Sequence, residues 1–140
     1  MQKLLDMLKR HEGVRHYVYD DHLGYATIGV GRCVDKNVGL GLSHDEIEYL
    51  LQNDVNRCIE ELDASFPWYR NLCEARRDAM INLVFNLGLP RLKKFVKALA
   101  AMEAGNYQEA AVEFLDSRWA KQVGTRALEV THMIRSGEYV

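Results

Sequence analysis

Long apolar runs, paired cysteines and a surplus of positive charge are all missing from this 140-residue chain, and each absence removes a class of function. No stretch approaches the roughly 18 consecutive apolar residues of a membrane-spanning helix. The opening MQKLLDMLKRHE alternates apolar and charged side chains too closely for a secretory leader. A soluble protein made in the cytoplasm, without stable membrane insertion, is therefore expected. Cys33, Cys58 and Cys73 form no CxxC pair and have no metal-ligand spacing, so reduced structural thiols are expected rather than a disulfide framework. With 18 Lys and Arg against 20 Asp and Glu, the formal charge is −2. The basic excess that phosphate contacts call for is absent, and no nucleic-acid partner is expected.

Two familiar motifs are also lacking. His11, Glu12 and His16 suggest a zinc helix, but H-E-x-x-H needs its histidines four apart on one helical face. Here they are five apart, with Gly13 between them. The pairs Gly29/Gly31 and Gly39/Gly41 lack the remaining glycines of a dinucleotide fingerprint and the lysine of a P-loop. They read as close-packing or turn positions.

What is present suits one globular domain, 48% hydrophobic and 27% charged, with room for a core and for two lobes. Leu4, Leu5 and Leu8 make an apolar stripe on a short helix over 3–11, and Gly13 stops it just past Glu12. The period then changes. Tyr17 and Tyr19, followed by Tyr25, Thr27 and Ile28, flank the turn residues Asp20, Asp21, His22 and Gly24, which predicts a hairpin. Residues 33–42 are irregular, after which Ser43 and Glu46 form an S-x-x-E capping box. It opens a helix over 43–62 carrying Ile47, Leu50, Leu51, Val55, Ile59 and Leu62.

The remainder reads as helical. Residues 74–87 are apolar around most of the circumference, as in a buried central helix, and Gly88 and Pro90 end it. A helix over 95–104 is closed by Gly105, Asn106 and Glu109 resemble a further N-terminal cap, and Trp119 with 126–135 completes a bundle. No internal repeat interrupts the pattern. The fold class is α+β: a small β-hairpin lobe over 13–42, a connecting helix over 43–62, and a mainly helical lobe from 1–12 plus 63–140.

The chemistry concentrates between Glu12 and Arg32. A helix C-terminus carries partial negative charge, which disfavours a carboxylate and suits Glu12 to general-acid work. Asp21, in a polar turn, is expected to stay ionised and to hold or activate a water, which the Thr27 hydroxyl can orient. Taken singly, each residue has an ordinary structural explanation, as a solvated acid, an Asx turn and a β-former. The combination carries the reading.

The run E-G-x-R-x-x-x-Y-x-D-x-x-G-Y-x-T-I-G-x-G, from Glu12 to Gly31, resembles the phage-type lysozymes, glycoside hydrolase family 24. The likeness continues through SHDEIEYLLQNDV from Ser43, RRDAMINLVFNLG from Arg76, and the S-R-W…R segment from Ser117 to Arg126. The resemblance implies a lysozyme-like fold and makes Glu12 the general acid, with Asp21 and Thr27 beside the attacking water. It implies that Arg126 contacts the acid, and that Phe85 and Asn86 line a sugar cleft, although Phe85 fits the core stripe equally well.

The implied activity is hydrolysis, with inversion, of the β-1,4 bond between N-acetylmuramic acid and N-acetylglucosamine in bacterial peptidoglycan, without metal or organic cofactor. A monomeric endolysin, held in the host cytoplasm until lysis and then reaching the periplasm or cell wall, fits this. Two alternatives stay open: a lytic transglycosylase on the same substrate, and a non-catalytic glycan-binding relic.

Departures from the family pattern shape further expectations. Where the family often has a histidine after G-x-G, this chain has Arg32, expected to pair with Asp54. Residues 33–42 are shorter than the corresponding segment of relatives, which implies a reduced β lobe. Ala98 and Glu113 replace polar cleft residues. Arg91, Lys93, Lys94 and Lys97 read as a solvated helix face.

Overall fold

Eight α-helices and a three-stranded sheet make up the computed structural model, which describes residues 1–140. The fold class expected from sequence, α+β, is the one found. The chain divides into two compact units, Met1–Leu51 and Gln52–Val140. The division passes through a helix, and residues 1–12, grouped above with the helical lobe, fall in the first unit.

In the first unit, helix α1 (Gln2–Glu12) ends where Gly13, at φ 80°, turns the chain and donates its N–H to the Lys9 carbonyl. Its apolar stripe forms, but Leu4, Leu5 and Leu8 remain exposed. Strands β1 (Arg15–Asp20), β2 (Ala26–Gly29) and β3 (Arg32–Cys33) build an antiparallel sheet in that order. Tyr19 faces Thr27 across the first pair and Thr27 faces Cys33 across the second. The hairpin was legible; the two-residue β3 was not.

Residues 34–43 form a tight loop on Asp35, whose carboxylate accepts the N–H groups of Asn37 and Val38. Gly39 closes it, because a Cβ there would lie 2.5 Å from the Cys33 carbonyl oxygen.

Helix α2 (His44–Ser65) runs three residues further at its C-terminal end than expected, and its capping box is complete. The Ser43 N–H donates to Glu46 Oε1 at 2.9 Å, and the Glu46 N–H donates to Ser43 Oγ at 3.3 Å. Glu46 Oε1 also accepts from Arg32 Nη1 at 2.7 Å, and Arg32 further donates to the Gly41 carbonyl. This corrects the expected Arg32–Asp54 pair: Arg32 takes the acid beside the start of α2, and Asp54 pairs with Arg57 one turn along its own helix.

The second unit holds the core. Helix α3 (Glu74–Leu87) buries Ala75, Ala79, Met80, Leu83, Val84 and Leu87, as its apolar circumference predicts. Short α4 (Leu89–Leu92) follows at once, and a 3-10 turn over Pro67–Asn71 precedes α3; neither was anticipated. Helices α5 (Val96–Ala104), α6 (Tyr107–Leu115), α7 (Arg118–Val123) and α8 (Thr125–Ser136) pack with α3 around Phe114, Leu92, Met102 and Ile134.

Asn106 does precede α6, but its side chain makes no capping bond. The working side-chain cap is Ser117 on α7, which accepts from the Ala120 N–H at 3.1 Å. Arg76 closes the other end of the bundle. Its guanidinium donates to the Ile134 carbonyl at 2.7 Å and the Arg135 carbonyl at 3.2 Å, in the last turn of α8, and stacks 3.6 Å from the Tyr107 ring centre. Carbonyls that lack helical donors thereby gain a charged one.

Two outcomes follow from these contacts. Arg76→Ala removes a charged donor from two carbonyls and is expected to cost about 2 kcal/mol in urea unfolding at constant slope. Arg32, with the Ser43 N–H behind it, holds the Glu46 carboxyl down at about 2, from an ordinary 4.5. A depressed acid stabilises the fold above its unfolded value, and that contribution is lost as pH falls from 4.5 toward 2. Glu46→Gln is expected to show a smaller drop in urea midpoint over that window than the parent chain.

Candidate active site

Glu12, Asp21 and Thr27 all lie in the first unit, each placed by a different local device. Glu12 is the last residue of α1 and is exposed. Its carboxyl rests on the turn between β2 and β3: a Cβ built on Gly31 would lie 2.7 Å from Oε2 and 3.0 Å from Cδ. Only a residue without a side chain leaves room for the acid there, and Gly31 also sits at φ +69°.

Asp21 follows β1 directly. Its Oδ1 accepts the N–H groups of Tyr25 and Leu23, both at 2.9 Å, in an Asx-type turn. The Tyr25 N–H, opposed by burial and aided by the Leu23 N–H and the His22 charge, holds the Asp21 carboxyl below its ordinary 3.8. The group is thus a carboxylate at neutral pH, with Oδ1 fixed and Oδ2 unengaged by these turn bonds.

Thr27, 3% exposed, is the one buried residue of the first unit. Its hydroxyl donates to the Tyr25 carbonyl at 2.8 Å, so toward a water Thr27 can offer only its lone pairs. The Tyr25 backbone, which also accepts from the Asp21 N–H, ties the second carboxylate to the threonine.

The other three candidates belong to the second unit. Phe85 is 45% exposed on α3, so it is not part of the core there. Asn86 accepts from the indole N–H of buried Trp119 at 2.7 Å, which fixes its amide. Arg126, in the first turn of α8, donates through Nε to Asn82 Oδ1 at 2.9 Å. No group of three His, Cys, Asp or Glu side chains stands where it would hold a metal ion.

Gly31, read as a close-packing or turn position, is one, beneath the Glu12 carboxyl, whereas two residues escaped the sequence reading: Tyr25 as the backbone link and Asn82 beside Arg126. A signal existed for the last. Asn82 and Asn86 are polar positions four apart in the otherwise apolar stretch 79–87 of α3, and so share a face.

The sequence model of the phage lysozyme family matches residues 9–135. The chain belongs to the phage lysozyme family. It is 30% identical to probable T4-type lysozyme 2 of Dictyostelium discoideum, covering 98% of this chain and 96% of that one. It is 34% identical to the endolysin of Salmonella phage P22, over 77% of this chain and 75% of the relative. It is also 30% identical to the pre-baseplate central spike protein Gp5 of Enterobacteria phage T4, where 96% of this chain matches 28% of the longer protein.

This member of the family is accordingly a glycoside hydrolase acting on peptidoglycan. No helix in it is long and apolar enough to cross a membrane. The Glu12 contact yields a controlled test. Gly31→Ala must displace the acid and is expected to slow clearing of a cell-wall suspension on the order of 100-fold. Gly29→Ala supplies the control, because its φ of +71° carries the same backbone penalty while a Cβ there meets nothing within 4 Å.

Proposed function

We propose that this lysozyme cleaves the β-1,4 bond between N-acetylmuramic acid and N-acetylglucosamine, with Glu12 as general acid and Asp21 as the carboxylate that directs a water. In this reading Glu12 gives its proton to the glycosidic oxygen as the C–O bond breaks. Water adds to the anomeric carbon from the opposite face and loses a proton toward Asp21 Oδ2, giving inversion. Thr27 accepts a hydrogen bond from that water through a lone pair. Phe85 and Asn86 line the sugar path, and Arg126 contributes its positive charge to the reaction.

The observation that carries this reading is the state of Asp21. A carboxylate kept ionised by backbone N–H groups, with one oxygen still available, suits the activation of water. A transglycosylase has no water to position, and a relic would have no reason to keep Asp21, Thr27 and a glycine-cleared Glu12 together. Relatives that bear the name endolysin support a role in host lysis, with action on the wall after release from the cytoplasm.

Glu12→Gln and Asp21→Asn are each expected to abolish clearing of a peptidoglycan suspension while leaving thermal unfolding cooperative. Clearing at the parental rate by either variant would overturn the assignment. Mass spectrometry of the released muropeptides is expected to show reducing ends, and anhydro ends in their place would give the reaction to a transglycosylase.

A further inference from the structure

Arg126 stands in the first turn of α8, where aligned peptide dipoles and unpaired N–H groups make a positive end that disfavours a cation. No acidic residue shares that turn. Within residues 52–140 the ion pairs are Arg57–Asp54 and Arg70–Asp63, and no carboxylate there pairs with Arg126. The half-buried guanidinium is gripped instead by a neutral amide, Asn82 Oδ1, at 2.9 Å. A cation at the unfavourable end of a helix, directed by an uncharged acceptor, does not serve the helix. Its charge is left for another group.

We propose that Asn82 is a positioning residue for the hydrolysis: it sets the direction of the Arg126 guanidinium without neutralising it. This rests on the reading above, in which Arg126 contributes its charge to the reaction. The amide oxygen takes Nε, and the remaining guanidinium nitrogens keep their donors and the full charge. Aspartate has the same shape and would make the same bond, more strongly, but would cancel the charge. Leucine has the same size and would direct nothing. Asn86, four residues on, fixes Trp119 by the same kind of neutral bond, so the polar face of α3 orients side chains of α7 and α8.

The test compares Asn82→Asp, Asn82→Leu, Asn82→Gln and Arg126→Gln, with initial rates measured against the concentration of soluble peptidoglycan fragments and urea unfolding run in parallel. Asn82→Asp is expected to unfold at the parental urea concentration or above, yet to lose at least about tenfold in kcat with KM changed by less than about threefold. A brace without a role in the reaction would give the opposite, since the aspartate keeps the bond.

Asn82→Asp with parental kcat, or with a loss of kcat matched by an equal loss of folded protein, overturns the proposal. Should Asn82→Asp fail to fold, the remaining pair decides. Asn82→Gln, a neutral acceptor, is expected to retain more kcat than Asn82→Leu at equal stability, and the reverse order overturns it. Arg126→Gln separates the two levels. If it keeps parental kcat, the role given to Arg126 fails; if it is inactive while Asn82→Asp is fully active, only the role of Asn82 fails.

Discussion

One oxygen atom, Oε1 of Glu46, accepts both the Ser43 N–H that starts α2 and the Arg32 guanidinium from β3. The first unit depends on bonds of this kind because it has almost no apolar interior, Thr27 being its single buried residue. A unit that buries so little apolar surface gains little from the hydrophobic effect. Its shape comes instead from strand pairing, from carboxylates that collect backbone N–H groups at Asp21 and Asp35, and from glycines at points of close approach. The groups proposed to react are built from the same parts. The turn that orders residues 21–25 also sets the ionisation of Asp21, and the glycine that lets β2 reverse into β3 also makes room for Glu12.

The second unit is organised on the opposite principle. Helix α3 buries six of its fourteen residues. Four of the others have distinct places: Arg76 closes the end of α8, Asn82 directs Arg126, Asn86 fixes Trp119, and Phe85 stays exposed. A rigid buried helix is well suited to hold groups that must keep a direction, since its own rotamers are locked by packing. Core and candidate site are therefore not separate portions of α3 but two faces of it.

Much of this was legible in the sequence, for reasons that are local. The end of α1 at Glu12, the hairpin around Asp21, the Ser43–Glu46 capping box and the buried α3 all declare themselves within a few residues, through period, cap chemistry and turn composition. Where the local signal was weak the reading failed. Strand β3 has only two residues and α4 only four, too few for any period to show. Asn106 had the right residue type for a cap but not the bond, while Ser117, in a segment singled out for other reasons, had both. Phe85 fitted the core stripe as well as the exposed face, and sequence spacing holds no information that separates the two.

The sequence by itself determined the family, the order of the main helices, and which residues carry carboxyl, hydroxyl and guanidinium chemistry, because propensity and hydrophobic period act over a few residues. Tertiary structure alone decided the partners. Arg32 took Glu46 rather than Asp54, Arg126 took an amide 44 residues away, Trp119 took Asn86 across 33 residues, and Glu12 came to rest on Gly31. Long polar side chains have several chemically equivalent acceptors within reach of their type, and only the packed positions of the backbones select among them.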